Sequence, residues 1–280
     1  MDADLALIQQ ILADSKTGRL ILPSPPDWVQ KVNSAIQGEQ RDCTYIARLI
    51  QLDPALAARI IQVANSPLYR GARAITEVRT ALMRMGLRTA RNLIYVFALK
   101  QGFQPKSLLL RQRMEQLWSH SRRVAAISSV LARHAHGMDP NRALLAGLVH
   151  DIGIFPILQY VDRHAEIWRD AARLDHIILR LRSPLGSFVL KQWQFDAELA
   201  AIPREAENWL RDPGPRSDYA DLVLVAHAHS SFGGRQRYDG PPLLELPAFR
   251  KLMLAGSGPE ASLQLLEDAQ LEIDTVMALL

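Results

Sequence analysis

The sequence predicts an all-α protein. Three observations point there: apolar residues recur at helical spacing almost throughout, the breaks between these stretches carry helix-capping chemistry, and the alternation of a half-buried strand is nearly absent. Only Ile177–Leu181 and Leu222–Val225 look strand-like, and both runs are short. In chain order, Ser24-Pro25-Pro26 offers a capping hydroxyl ahead of prolines suited to a first turn, and Asp53-Pro54 repeats the device before Ala55–Ala64. Asn65-Ser66-Pro67 stops that helix, since proline cannot continue the hydrogen-bond ladder. Thr76 is placed to cap Glu77–Met85, and Gly86 to end it with a left-handed residue. Gln101–Lys106, holding Gly102 and Pro105, predicts a joint, so the chain reads as a two-lobed helical bundle with lobes 1–105 and 106–280. In the second lobe a long helix runs through His120, with His134 and His136 as C-terminal cap residues before Gly137. Asp139-Pro140 opens Asn141–His150, with Gly153 just past its end. Leu210–Ser217 and Phe232–Leu246 are Pro/Gly-rich loops, and Pro259–Leu280 reads as an amphipathic helix packed on its own chain.

Composition narrows the function classes. At 280 residues, 48% hydrophobic and 22% charged, the chain can bury a sizeable core and is neither disordered nor collagen-like. A single cysteine, Cys43, excludes an internal disulfide and any zinc site of the CxxC type. The longest charge-free stretches, Asn92–Leu99 and Ile152–Val161, fall short of the ~20 residues a membrane helix needs. Met1-Asp2-Ala3-Asp4 is acidic where a leader is basic, and a cytoplasmic location without membrane contact is expected. The net charge of +4 hides an asymmetry: residues 1–137 carry 19 Lys/Arg against 9 Asp/Glu, and residues 138–280 carry 14 against 20. Either the halves neutralise each other, or the basic stretch Arg70–Lys106 meets an anionic partner.

Three histidine-bearing segments are candidates for chemistry. Leu117, His120, Val124, Ile127 and Leu131 are spaced 3, 4, 3, 4, which sets His120 on the buried stripe of its helix, with Arg122, Arg123 and Arg133 off it. Ala143–Val149 (ALLAGLV) is mostly apolar and reads as a core helix, yet it delivers His150-Asp151 at its end. A buried carboxylate costs several kcal/mol unless compensated by an arginine, a hydrogen-bond network or a metal ion. In Leu222–His229 (LVLVAHAH) two more histidines end an apolar run. Residues two apart do not share a helical face, so at most one of His227 and His229 can join the other two segments, and the other is expected to be exposed or to cap the helix. His164 and His176 stand among charges and are expected at the surface. There is no phosphate-binding glycine loop and no GxSxG nucleophile elbow.

A histidine followed some thirty residues later by AGLVHDIG (146–153) resembles the HD superfamily of metal-dependent phosphohydrolases. LP at 22–23, DPALAARIIQVANSPLYRG at 53–71, A-x4-GLRTARNLI at 81–94 and LWSHSRRVA at 117–125 narrow the resemblance to the HDOD family, HD-related output domains of bacterial signalling proteins usually described as lacking hydrolytic activity. It runs from about residue 15 to residue 235. The resemblance implies an HD-like helical core in the second lobe and a metal held by His120, His150 and Asp151, with His227 (second choice His229) where relatives carry aspartate. That donor set suits Zn, Fe, Ni or Mn better than Mg.

Two departures bear on catalysis. Active relatives carry a lysine after the glycine (HDxGK), and here that position is Ile154. The further histidines of a two-metal site, expected around Arg182 and Glu205-Ala206, are absent. Metal binding is therefore expected to outlast hydrolysis, with Arg122 or Arg123 supplying an anion-binding charge. The resemblance implies a regulatory module acting on a separate signalling protein or an anionic ligand such as a nucleotide, through the Arg70–Arg91 surface or a helical groove. The alternative is a metal-dependent phosphohydrolase of phosphodiester or nucleotide substrates. Nucleic-acid binding by the basic half is a third and weaker reading, since no DNA-binding motif accompanies it.

Overall fold

In the computed structural model the described residues are 27–37, 42–69, 71, 73–102, 105–231, 240–252 and 259–280, together with Gln9, Ile11 and Ala13. No strand occurs among them, as an all-α fold requires. The first helices are α1 (Asp27–Gln37), α2 (Cys43–Ile50), α3 (Pro54–Ala64), α4 (Val78–Met85) and α5 (Leu87–Gly102). Asp42 and Asp53 cap α2 and α3 by accepting from the backbone N–H groups of Thr44 and Leu56. The predicted Ser24-Pro25-Pro26 cap lies outside the described residues. Thr76 does not cap α4: the helix starts one residue later than expected, with Glu77 at the cap position and no side-chain hydrogen bond there. Gly86 ends it at φ 79°, the left-handed region that favours glycine.

Asn65 does more than end α3. Its amide nitrogen donates to the Ile75 carbonyl and its amide oxygen accepts from the Ile75 N–H, both at 2.7 Å. One side chain thus pairs with a backbone unit ten residues on and pins the connection to α4. Arg91 also departs from expectation. It is buried on α5, donates to the carbonyls of Trp193 and Gln194, and so is unavailable to a partner. Arg73, Arg79 and Arg88 remain exposed, and Arg70 lies outside the described residues.

After Ser107 comes α6 (Leu108–His134), 27 residues long. It is followed by α7 (Pro140–Val149), α8 (Ile154–Val161), α9 (Ala165–Trp168), α10 (Ala171–Gln192), α11 (Ala197–Glu205) and α12 (Tyr219–Ser231). Asp139, Asp170 and Asp196 cap α7, α10 and α11. His134 closes α6, whose cap position is Ala135. Both strand-like runs are helical. Ile177 and Leu181 belong to a buried stripe with Leu174 and Leu185, and Leu222–Ala226 is buried on every side of α12. A run surrounded by protein shows no alternation to read. Of the expected Phe232–Leu246 loop, residues 232–239 lie outside the described residues, and Leu243–Glu245 forms a short 3-10 turn before α13 (Pro247–Leu252).

The C-terminal stretch is two helices, α14 (Pro259–Asp268) and α15 (Gln270–Leu279), separated at Ala269. Helix α6 is the axis of this half, with α7, α12 and α15 packed against it, while α8 and α11 pack on α10. Pro140–Val161 is 22 residues long and contains an 18-residue window of mean hydropathy 1.5, enough by length and composition for a membrane span. In the fold it is two helices broken at His150–Gly153, and 83% of the apolar stretch is buried inside the protein.

Replacing Asn65 by Ala removes both partners of the Ile75 backbone, which is itself buried. A buried N–H and C=O left unpaired cost about 1–3 kcal/mol each. Asn65→Ala should therefore lose about 2–6 kcal/mol of unfolding free energy in urea titration, and a loss below about 0.5 kcal/mol would show that water replaces the amide.

Candidate metal centre

Two glycines set the geometry. A Cβ on Gly147 would stand 2.6 Å from the Ala125 Cα, so α7 approaches α6 backbone to backbone. That contact brings the end of α7 beside His120. At Gly153 a Cβ would stand 1.9 Å from the Arg182 carbonyl oxygen and 2.4 Å from the Gly186 nitrogen, so the turn into α8 lies directly on α10. Glycine is required at both places by space, independent of any turn conformation. The signal for this was the HDIG glycine, but which helix it touches was not legible.

His120, His150 and His227 converge, with one nitrogen of each within 4.8 Å of the others. Their ring centroids form a near-equilateral triangle of 5.0, 5.1 and 5.4 Å. The nearest pair is His150 Nε2 and His120 Nε2 at 3.2 Å. Asp151 Oδ2 lies 3.4 Å from His150 Nε2 and 4.0 Å from His120 Nε2. Nitrogens bound at roughly 2.1 Å to one tetrahedral ion sit about 3.4 Å apart, so the closest contacts already have the spacing of a ligand set.

Hydrogen bonds settle which nitrogens face the centre. His150 Nδ1 is 2.7 Å from the Gly147 carbonyl, and His227 Nδ1 is 3.5 Å from the Ala206 carbonyl. A carbonyl only accepts, so each Nδ1 is the donor to it and each Nε2 is the nitrogen left to face the centre. Burial lowers the His120 pKa to about 3, reinforced by the neighbouring His150, and lowers that of His227 to about 4. Both are neutral, the metal-binding form, at neutral pH. Burial would raise the Asp151 carboxyl, but the adjacent His150 imidazole and Arg182 guanidinium outweigh it and hold the pKa at about 2. Neutral imidazoles around one buried carboxylate make a cavity that calls for a cation, and the residues present fit a single divalent ion.

His229 points elsewhere. It is buried, at 4% exposure, with its ring 6.3 Å from Phe249, and is neither exposed nor a cap as the sequence suggested. Arg122 is also not at the centre: its Nη1 donates to the Met277 carbonyl of α15 at 3.0 Å. Arg123 is half-buried on the same turn, its Nε enclosed without a hydrogen-bond partner. The guanidinium beside the cluster is that of Arg182, with Nη1 3.9 Å from Asp151 Oδ1 and Nη2 paired to Glu207. Sequence reasoning passed over Arg182 because it looked there only for histidine. A cavity of about 310 Å³ opens beside His120, Asp151 and Arg182, and Ile154 lines its wall.

The HDOD domain model matches residues 22–208. A candidate metal-dependent phosphohydrolase of known structure from Shewanella amazonensis is 28% identical, with a TM-score of 0.81 over 100% of this chain and 99% of that one. An HDOD domain protein with unknown function from Geobacter sulfurreducens is 21% identical, with a TM-score of 0.62 over 100% and 99%. A candidate signal transduction protein from Marinobacter aquaeolei is 20% identical, with a TM-score of 0.62 over 98% of this chain and 65% of that one. The last two show a shared fold only. No protein of curated function matches.

Gly153→Ala forces the turn off α10 and Asp151 away from Arg182, and overpacking of this kind costs about 1–3 kcal/mol. The expected result is that loss in urea denaturation, together with weaker Zn²⁺ affinity by competition with a chromophoric chelator. Unchanged values of both would place the constraint elsewhere. The pH dependence has a definite sign. Burial pushes the His229 pKa down to about 4, whereas in the unfolded chain it is about 6.5. Between these values unfolding takes up a proton, so stability is complete above pH 6.5 and falls as pH drops toward 4. The metal-free protein should lose about 1.4 kcal/mol per pH unit for this histidine. His229→Leu should flatten the slope by that amount, and an unaltered slope would refute the assignment.

Proposed function

The chain belongs to the HDOD family, and on that premise we propose a regulatory module of bacterial signal transduction that acts by binding, with a metal site at His120, His150, Asp151 and His227 and reduced hydrolytic equipment. One contrast carries this reading. The ligand side of the cavity is fully prepared, with Nδ1 of His150 and His227 each engaged by a carbonyl. The side that would meet a phosphate presents Ile154 after Gly153, where active HD relatives carry lysine. Three imidazoles and a carboxylate favour Zn, Fe, Ni or Mn over Mg. A divalent ion bound there supplies Lewis acidity. The residues themselves hold Asp151 ionised, keep His120 neutral and exclude most water.

Binding would serve a separate signalling protein or a small anionic ligand. Exposed Arg73, Arg79 and Arg88 remain as a basic surface for the first, and the cavity serves the second. A second reading, a metal-dependent phosphohydrolase of phosphodiester or nucleotide substrates, is favoured by one observation. The Shewanella protein, described by name as such a candidate, aligns over the whole chain at 28% identity.

Elemental analysis of untagged protein, beside His150→Ala and with a phosphodiesterase and nucleotidase screen, separates the readings. About one transition-metal ion per chain, lost in His150→Ala, with no metal-dependent turnover is the expected result. Removal of the ion by chelator should lower stability by about 3 kcal/mol where free metal had stood at a hundred times its Kd. Robust turnover abolished by His150→Ala would establish the hydrolase instead.

A further inference from the structure

The cavity beside the metal centre has an internal order. One wall is a stripe of α6, Arg113, Gln116, Leu117 and His120, and the other is a stripe of α10, Asp175, Ile178, Leu179 and Arg182. Both stripes have the spacing 3, 1, 3, so each presents one helix face over two turns, roughly 10 Å. The two faces run in the same direction. Arg113 Nη1 meets Asp175 Oδ1 at 3.0 Å at one end, and His120 and Arg182 flank Asp151 at the other. Ile154 and Leu158, one turn apart on α8, form the floor, and with Leu117, Ile178 and Leu179 they make the middle apolar. The result is a slot with charged groups at its two ends and an apolar waist.

Each end selects a different chemistry. At the inner end Arg182 stands against Asp151 and Glu207, and a divalent ion held by the histidines and Asp151 would leave net positive charge there and favour an anionic head group. At the outer end an arginine donor stands beside a carboxylate acceptor, with the Gln116 amide on the same face. A matched ligand group carries an acceptor next to a donor, as a purine edge does. The apolar waist suits a flat ring. A volume of about 310 Å³ lies at the lower limit, about 300 Å³, of small-molecule sites and holds a single nucleotide, not a dinucleotide.

From these features we infer that the slot between α6 and α10 takes a purine nucleoside monophosphate, with its phosphate toward His120 and Arg182 and its base edge read by Arg113 and Asp175. This rests on the reading of the centre as a binding site for a small anion. Arg113 and Asp175 are the specificity-determining pair, and neither touches the proposed metal ligands. Both side chains are partly exposed, 32% and 55%, so their variants are expected to fold.

Isothermal titration calorimetry of the full chain with Mn²⁺ present tests this, using GMP, AMP, ribose 5-phosphate and inorganic phosphate. At least one of the two nucleotides should bind ten-fold or more tightly than ribose 5-phosphate. Arg113→Ala and Asp175→Ala should each erase that margin, leaving the affinities for ribose 5-phosphate and phosphate and the melting temperature unchanged. Arg182→Gln should weaken all phosphate-bearing probes together. Nucleotides no tighter than ribose 5-phosphate, or an unchanged margin in Arg113→Ala, would overturn the inference. Binding of none of the four probes would overturn it as well. The metal stoichiometry of the same preparations then shows whether the metal-site reading beneath it has failed or stands.

Discussion

Backbone touches backbone where Gly147 of α7 crosses Ala125 of α6, and the candidate centre depends on that contact. With any side chain at 147 the helices would separate by the width of a methyl group, and His150 would leave the reach of His120. The same residue provides the carbonyl that accepts a hydrogen bond from His150 Nδ1 and leaves Nε2 facing the centre. Gly153 repeats the arrangement against α10 and so sets Asp151 beside Arg182. The site is thus a consequence of two close helix approaches, each needing an absent side chain.

That origin explains how a carboxylate and three imidazoles persist in an apolar interior. Asp151 is 6% exposed and His150 2%, which is costly for isolated polar groups. Arg182 offsets the carboxylate, carbonyls satisfy the Nδ1 protons, and burial keeps His120 and His227 neutral. The remaining lone pairs point inward, toward a place where a cation would complete the charge balance. The Trp209 ring lies against His227, its centroid 5.4 Å away and its plane tilted by 45°.

Much of the fold was legible from local chemistry. Aspartates 53 and 139 cap helices because capping involves only the next few residues, and the Gly86 stop is equally local. The stripe through His120 announced its burial in the same way. Thr76 misled, because the helix starts one residue later than its capping chemistry suggests, with Glu77 at the cap position. The strand-like runs misled for other reasons: Leu222–Val225 is buried on all sides and carries no periodic contrast, and Ile177–Leu181 is too short to show the one-sided stripe it belongs to. Arg91, Arg122 and Arg182 were beyond local reading altogether. A long flexible cation in a basic stretch gives no sign of whether it meets solvent, a carbonyl a hundred residues away, or a carboxylate in the core.

The sequence by itself determined the helical class, the Asp53 and Asp139 caps, the burial of His120, and the fact that only one of His227 and His229 could join it. All of these follow from 3.6-residue periodicity and nearest-neighbour hydrogen bonding. Tertiary structure alone decided that the joining histidine is His227, that the guanidinium at the centre is Arg182, and that Arg113 faces Asp175 across a slot. Those choices depend on which helix faces meet, and they are made by contacts between residues 30 to more than 100 positions apart. No local pattern encodes such a distance: it is set by how closely glycine lets one backbone approach another.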